Sequence, residues 1–222
     1  HFVHVFFVDD RDIEGVSRLA ERASIVQFFH DDFHRMVHIQ LESGQFGAMA
    51  RPVQAAYETY LRRINRETTL YTRTTMFDDL AKVRAKAAAL LGVDVEEIVW
   101  TRGGTESMMT LIGGYNRLRP GDAVLYADLD YDSMQTGMAG MARMRGLKLY
   151  TFDLPEPCTK QSLIDAYERQ LTLHPDVKLM LVTHLSHRTG LVPPVKEITA
   201  MARSKGVDVL LDQAVEGRRR AG

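Results

Sequence analysis

The run from Lys178 to Ala214, KLMLVTHLSHRTGLVPPVKEITAMARSKGVDVLLDQA, constrains the fold more than any other part of the chain. After its lysine, the stretch to Thr183 is continuously apolar, as a strand buried on both faces would be. The polar loop 184–190 ends in Gly190. From Val195 to Lys205, Val195, Ile198 and Met201 recur at three-residue spacing with Ala202 beside them, and Pro193 and Pro194 stand near the start. That pattern predicts an amphipathic helix stopped by Gly206. Val207 to Leu211 is a second apolar run, with Asp212 at its end. Two strands joined by a crossover helix are parallel members of one sheet. His184, Ser186, His187, Arg188 and Asp212 then gather at the carboxyl edge, where open α/β sheets bind ligands. A charge directly after a buried strand is costly unless something positive meets it. Asp212 therefore either pairs with a cofactor nitrogen or a metal, or caps the next helix or turn.

A second turn has the same flavour. Ile98 to Thr101 reads as a short buried strand. Gly103, Gly104, Thr105 and Glu106 then pass directly into a helix at 107–116. Free N–H groups and the helix dipole at such a start favour an anion, although a tight turn with an N-cap has the same spelling. Before it, 53–65 and 77–91 read as helices, the second ended by Gly92. After it, AVLYAD is a strand, DLDYDSMQT a loop, MAGMARM a helix and LKLYTFDL a strand, followed by a helix over 161–174. Tyr131 lies in the loop, either against a flat ligand or packed beneath the chain. Met134, Met138, Met141 and Met144 have helical spacing and read as core filling.

The N-terminal residues 1–35 carry a short apolar run and a candidate helix. His30, His34 and His38 would share one helical face, as metal ligands or as part of a solvated stretch. LESGQFG turns at Gly44 and Gly47. No apolar run approaches the ~20 residues that span a bilayer. The net charge of −1 gives no support to nucleic-acid binding. The single cysteine, Cys158, allows no internal disulfide and is compatible with the cytoplasm, the expected location.

The blocks THLSHRTGLVPPVKEI and VDVLLDQA, with TRGGTES upstream, resemble the class V aminotransferase group of fold-type I pyridoxal-phosphate enzymes, over about Ile39 to Ala214. That group includes cysteine desulfurases and isopenicillin-N-epimerase-like enzymes. The resemblance implies a three-layer α/β/α domain with a mostly parallel sheet. It implies residues 1–66 as an N-terminal segment of the small domain or arm, 67–214 as part of the cofactor domain and 215–222 as a tail. By the same resemblance pyridoxal 5'-phosphate is the cofactor. Gly104 and Thr105 hold its phosphate, Asp212 meets its ring nitrogen, Tyr131 stacks on the ring and His187 serves its phenolic oxygen, where relatives often carry Asn. Asp212, His187 and Tyr131 are thus the catalytic candidates, and no metal is expected. Arg188 is read either as a carboxylate or phosphate contact or as a surface ion pair.

The implied reactions are C–S cleavage, epimerisation or amino transfer on a small amino acid, by way of an aldimine and an α-carbanion or quinonoid intermediate, in a homodimer. The family's Schiff-base lysine follows the ring-nitrogen acid by a further strand, and none of Lys82, Lys86, Lys148, Lys160, Lys178, Lys196 and Lys205 takes that place. The expectation is a truncated chain without its C-terminal domain, inactive alone. Two competing readings stand beside it. One is a non-catalytic relative or binding protein. The other is a nicotinamide-dependent oxidoreductase, against which the missing G-x-G-x-x-G spacing counts.

Overall fold

The computed structural model describes residues 48–213, which form two compact units, 48–99 and 100–213. The first unit is helical. Helix α1 (Arg51–Glu67) has Pro52 in its first turn, α2 is Thr69–Thr74 and α3 is Met76–Leu91. Gly92 ends α3 at φ +73°, a left-handed conformation that costs glycine little. Arg63 ties the unit together: it pairs with Glu67 at 3.0 Å and Asp79 at 3.5 Å, and its guanidinium lies 5.0 Å from the centre of the Tyr71 ring. A capping box at Asp94 and Glu97 closes a short 3-10 turn, Val95–Glu97.

The second unit is a four-stranded parallel sheet with helices on both faces. Its elements are α4 (Gly104–Gly114), β1 (Ala123–Ala127), α5 (Asp132–Arg145), β2 (Lys148–Phe152), α6 (Lys160–Leu173), β3 (Val177–Thr183), α7 (Val195–Ser204) and β4 (Asp208–Asp212). The strand order is β2-β1-β3-β4, and every neighbouring pair is parallel. Strand periodicity sorts the side chains between two cores. Leu125, Met180 and Val182 face Leu163, Tyr167, Val195 and Ile198 of α6 and α7. Val124, Leu179, Leu181 and Leu210 face Met108 and Ile112 of α4 and Met134, Met138 and Met141 of α5. Both faces of the central strands are covered, which is why β1 and β3 read as unbroken apolar runs. The expected three-layer α/β/α architecture is therefore present.

Several local expectations need correction. Ile98 to Thr101 is not a strand: no strand pairs with it among the described residues, and Val99 is 69 % exposed although Ile98 is fully buried. An extended segment becomes a strand only when a neighbour takes its hydrogen bonds. The loop expected over DLDYDSMQT is confined to 128–131, because α5 begins at Asp132, an acid suited to a helix N-terminus. Met144 is 79 % exposed, unlike Met134, Met138 and Met141. At 100° per residue it falls about 80° round the helix from Met134, off the buried stripe. Asp212 is the last residue of β4, within the strand and not beyond it. The histidines at 30, 34 and 38, the turn at Gly44 and Gly47, and the tail 215–222 lie outside the described residues.

Candidate functional site

The chain builds outward in two directions from β1. The connection through α5 places β2 on one side, and the connection through α6 places β3 on the other. The carboxyl ends of β1 and β3 therefore flank the point where strand order reverses, the position at which doubly wound sheets leave a crevice for ligands. The segment 128–131 leaves β1 there, the segment 184–190 leaves β3, and Asp212 closes β4 beside them.

Asp130 laces this edge together. It is 2 % exposed, and its carboxylate accepts the Ala127 N–H at 2.7 Å and the Thr183 N–H at 2.6 Å, one from the end of each strand. The Tyr131 N–H donates to Thr183 Oγ1 at 3.2 Å. Thr183 stands opposite Asp212 in the β3–β4 register, and the His184 N–H donates to the Asp212 carbonyl at 2.8 Å. Gln135 of α5 donates to the carbonyls of Asp130 at 2.7 Å and Asp128 at 3.0 Å, fixing the short loop from below. Burial pushes the Asp130 carboxyl up to about 7. Its two N–H donors and the Thr183 hydroxyl oppose that rise, and the Asp212 charge adds to it. Asp212 is itself only 4 % exposed. Two buried carboxyl groups that repel one another make a local environment that favours a cation.

Above this edge, Tyr131 and His187 meet edge to face with ring centres 4.9 Å apart. Gln213 Nε2 lies 3.3 Å from His184 Nδ1. Arg188 is held in an ion pair with Asp132 at the start of α5, and the Arg188 N–H donates to Ser186 Oγ at 3.3 Å. The ion-pair reading of Arg188 is thus the one observed.

Helix α4 aims its N-terminus at the same edge. At its far end the Tyr115 hydroxyl donates to Asp208, the first residue of β4, and Arg145 at the end of α5 donates to the Gly113 and Tyr115 carbonyls. Met108 and Ile112 pack with Leu210 between those ends. The C-terminus of α4 lies at the amino end of β4, so Gly104 and Thr105 lie toward its carboxyl end, where Asp212 is. The first intrahelical bond runs from Ser107 N to Gly103 O at 3.1 Å, so the amides of residues 104, 105 and 106 precede it. Thr101 and Ser107 join their hydroxyls under the turn. Among the described residues, a Cβ placed on Gly103 would meet no atom within 4 Å. Glu106 does not load the turn with a bare negative charge. Arg102 holds it through side-chain and backbone hydrogen bonds, which lower its pKa.

Five candidates drawn from the sequence, Gly104, Thr105, Tyr131, His187 and Asp212, thus lie on elements whose ends meet at one edge of one sheet. Asp130 was not among them. It lies in the polar run DLDYD, and its burial depends on a partner 53 residues away, so no local pattern singled it out. Among the described residues no group of three or more His, Cys, Asp or Glu is arranged to hold a metal ion. No helix among them is long and apolar enough to cross a membrane.

Comparison with known proteins bears on the fold and the family. A cysteine desulfurase of Serratia proteamaculans is 30 % identical over 139 residues, 61 % of this chain and 33 % of that protein. The chain spans about a third of the length of the first curated relatives it matches. Among solved structures, a C-DES mutant with glycine covalently linked to the PLP cofactor superposes with a TM-score of 0.66 at 22 % identity, covering 77 % of this chain and 45 % of that one. The cystine C-S lyase C-DES in complex with its product cysteine persulfide gives the same score, with 46 % of that chain covered. At this identity the two structures speak for the fold. The model of the aminotransferase class-V family matches residues 48–218, more than three quarters of the chain, and the chain belongs to that family.

Proposed function

We propose that this chain is the cofactor-binding part of a pyridoxal 5'-phosphate enzyme that cleaves a C–S bond in a small sulfur-containing amino acid. The observation that carries this reading is the buried Asp212 at the end of β4, in a class V chain, beside a second buried acid, Asp130. The donor set suits a ligand with an anionic end and a cationic ring. The amides at the start of α4, with Thr105 and the turn at Gly103, suit a phosphate. The carboxylate of Asp212 suits a protonated pyridine nitrogen. When bound, the protonated ring draws electrons from the α-carbon of an amino acid.

The chain's own residues would divide the remaining work. Asp212 would hold a proton on the ring nitrogen, because a buried carboxylate favours the protonated form of a pyridine beside it. Tyr131 would lie against the ring, braced by His187 and by its amide bond to Thr183. His187 would present a ring N–H to an oxygen at the mouth of the crevice. Relatives named cysteine desulfurases support sulfur chemistry over epimerisation or amino transfer. A homodimer belongs to the same reading, supported by the apolar side chains that α1 leaves exposed, Tyr57, Tyr60 and Ile64.

The Schiff-base lysine has no candidate in this reading. Lys148 and Lys178 stand at the amino ends of β2 and β3, the edge opposite Asp212, and Lys160 is paired with Glu197. The 222-residue chain is accordingly expected to bind the cofactor without catalysis. The test is a titration with pyridoxal 5'-phosphate followed by the fluorescence of Trp100, the single tryptophan, with borohydride reduction afterwards. Saturable quenching without a reduced lysine adduct supports the reading. Absence of saturable quenching overturns it.

A further inference from the structure

We propose that Asp130 is a positioning residue of this site: by clasping the ends of β1 and β3 it sets the spacing between the Tyr131–His187 pair and Asp212. The proposal rests on the cofactor reading above and extends it to a residue that touches none of the ligand. Three strand ends stand side by side at this edge, and each is joined to the next. Asp130 bonds the Ala127 amide at the end of β1 and the Thr183 amide at the end of β3. Thr183 is registered against Asp212 of β4, whose carbonyl takes the His184 amide. The Asp130 backbone leads directly to Tyr131, whose amide is fixed on Thr183 Oγ1. A carboxylate can accept at both oxygens at once, which an amide side chain cannot do. Both donors are buried backbone groups at the sheet edge, so loss of the acceptor frees two N–H groups that have no solvent to turn to. Asp130 and Asp212 also meet electrostatically, since the Asp212 charge adds to the cost of ionising Asp130.

This role differs from that of a core residue. A structural acid would change stability alone. A positioning acid changes ligand affinity while the rest of the sheet stays closed. Thr183→Val separates the two, because it removes the acceptor for the Tyr131 amide and the hydroxyl facing Asp130, and leaves the two backbone bonds to Asp130 in place.

The experiment uses the 222-residue chain as wild type, Asp130→Asn, Asp130→Glu and Thr183→Val. Amide hydrogen exchange is read at Ala127, Tyr131 and Thr183, and pyridoxal 5'-phosphate binding is read by Trp100 fluorescence. For Asp130→Asn the expected result is faster exchange at Ala127 or Thr183 and affinity lowered about tenfold or more, the scale of a lost charge-assisted hydrogen bond. Asp130→Glu should fail to restore the affinity. Thr183→Val should speed exchange at Tyr131 and lower affinity less than Asp130→Asn does. If Asp130→Asn does not fold, Asp130→Glu carries the test, since it keeps a carboxylate and changes the reach of the clasp: an affinity equal to wild type then overturns the positioning role. Wild-type affinity in a folded Asp130→Asn overturns it as well, and leaves the cofactor reading standing. No saturable binding by the wild-type chain overturns the cofactor reading and the positioning role together.

Discussion

The Thr183 amide donates to Asp130 Oδ1 at 2.6 Å across 53 residues of sequence, joining the ends of two parallel strands at the point where strand order reverses. Parallel strands are linked along their length by backbone bonds, but those ladders stop where the chain turns away into loops. A side chain that continues the ladder for one more step holds the crevice open at a defined width. Around that link lie Tyr131, His184 and Asp212, which are remote in sequence and adjacent at the edge.

Asp212→Asn should leave the fold intact and weaken pyridoxal 5'-phosphate binding about a hundredfold, the scale on which truncating one partner of a buried charge pair acts. Isothermal titration of the variant beside wild type, with inorganic phosphate as a second ligand, measures it. Phosphate affinity should be nearly unchanged, because the anion is assigned to the start of α4 and not to β4.

The Asp130 carboxyl, raised to about 7 by burial first and by Asp212 in addition, gives stability a definite pH slope. Between the ordinary aspartate range and about 7 the folded chain holds a proton that the unfolded chain has lost. Stability conferred by that proton is present at the acid end, falls as pH rises through this window, and levels off above it. Neighbouring Tyr167, itself raised by burial and by Asp130, stays protonated throughout. Urea unfolding at intervals from pH 4.5 to 8 should show wild-type stability falling by a few kcal/mol more than that of Asp130→Asn. Parallel curves for the two proteins would contradict it.

Met138 and Met144 lie on one helix, fully buried and 79 % exposed respectively. Met138→Ala should cost about 2–5 kcal/mol, the range for emptying a packed core site. Met144→Ala should stay within about 0.5 kcal/mol of wild type, as surface changes do. Chemical denaturation of the pair measures both.

Tyr115→Phe should lower stability by about 1 kcal/mol, since Asp208 keeps Arg117 at 3.3 Å while losing the phenol. Because that phenol ties the far end of α4 to β4, phosphate affinity should fall by a small factor as well. Unchanged stability with unchanged phosphate affinity would remove Tyr115 from the support of the helix.

Much of this arrangement was legible in the amino-acid order. The strand, loop, helix and strand from Lys178 to Asp212 appear as read, because continuous apolar runs, a three-residue helical spacing and Gly206 leave few alternatives. Asp212 was visible as an acid against a buried strand. Asp130 was hidden by its setting in a polar run, where burial depends on partners 53 residues away that no local pattern displays. The segment Ile98 to Thr101 shows the converse failure: its composition suits a strand, but strand formation depends on a neighbour, which local composition does not reveal. Met144 misled for a geometric reason, since a spacing of three accumulates drift against 3.6 residues per turn.

The most direct measurement is the nitrogen chemical shift of ring-labelled pyridoxal 5'-phosphate bound to the chain, taken for wild type and for Asp212→Asn at pH 8. A protonated pyridine nitrogen in wild type, lost in the variant, is the predicted result, because only the buried Asp212 carboxylate would hold that proton in place. An unprotonated nitrogen in wild type, or the same shift in both proteins, would contradict the assignment of Asp212 and with it the proposed site.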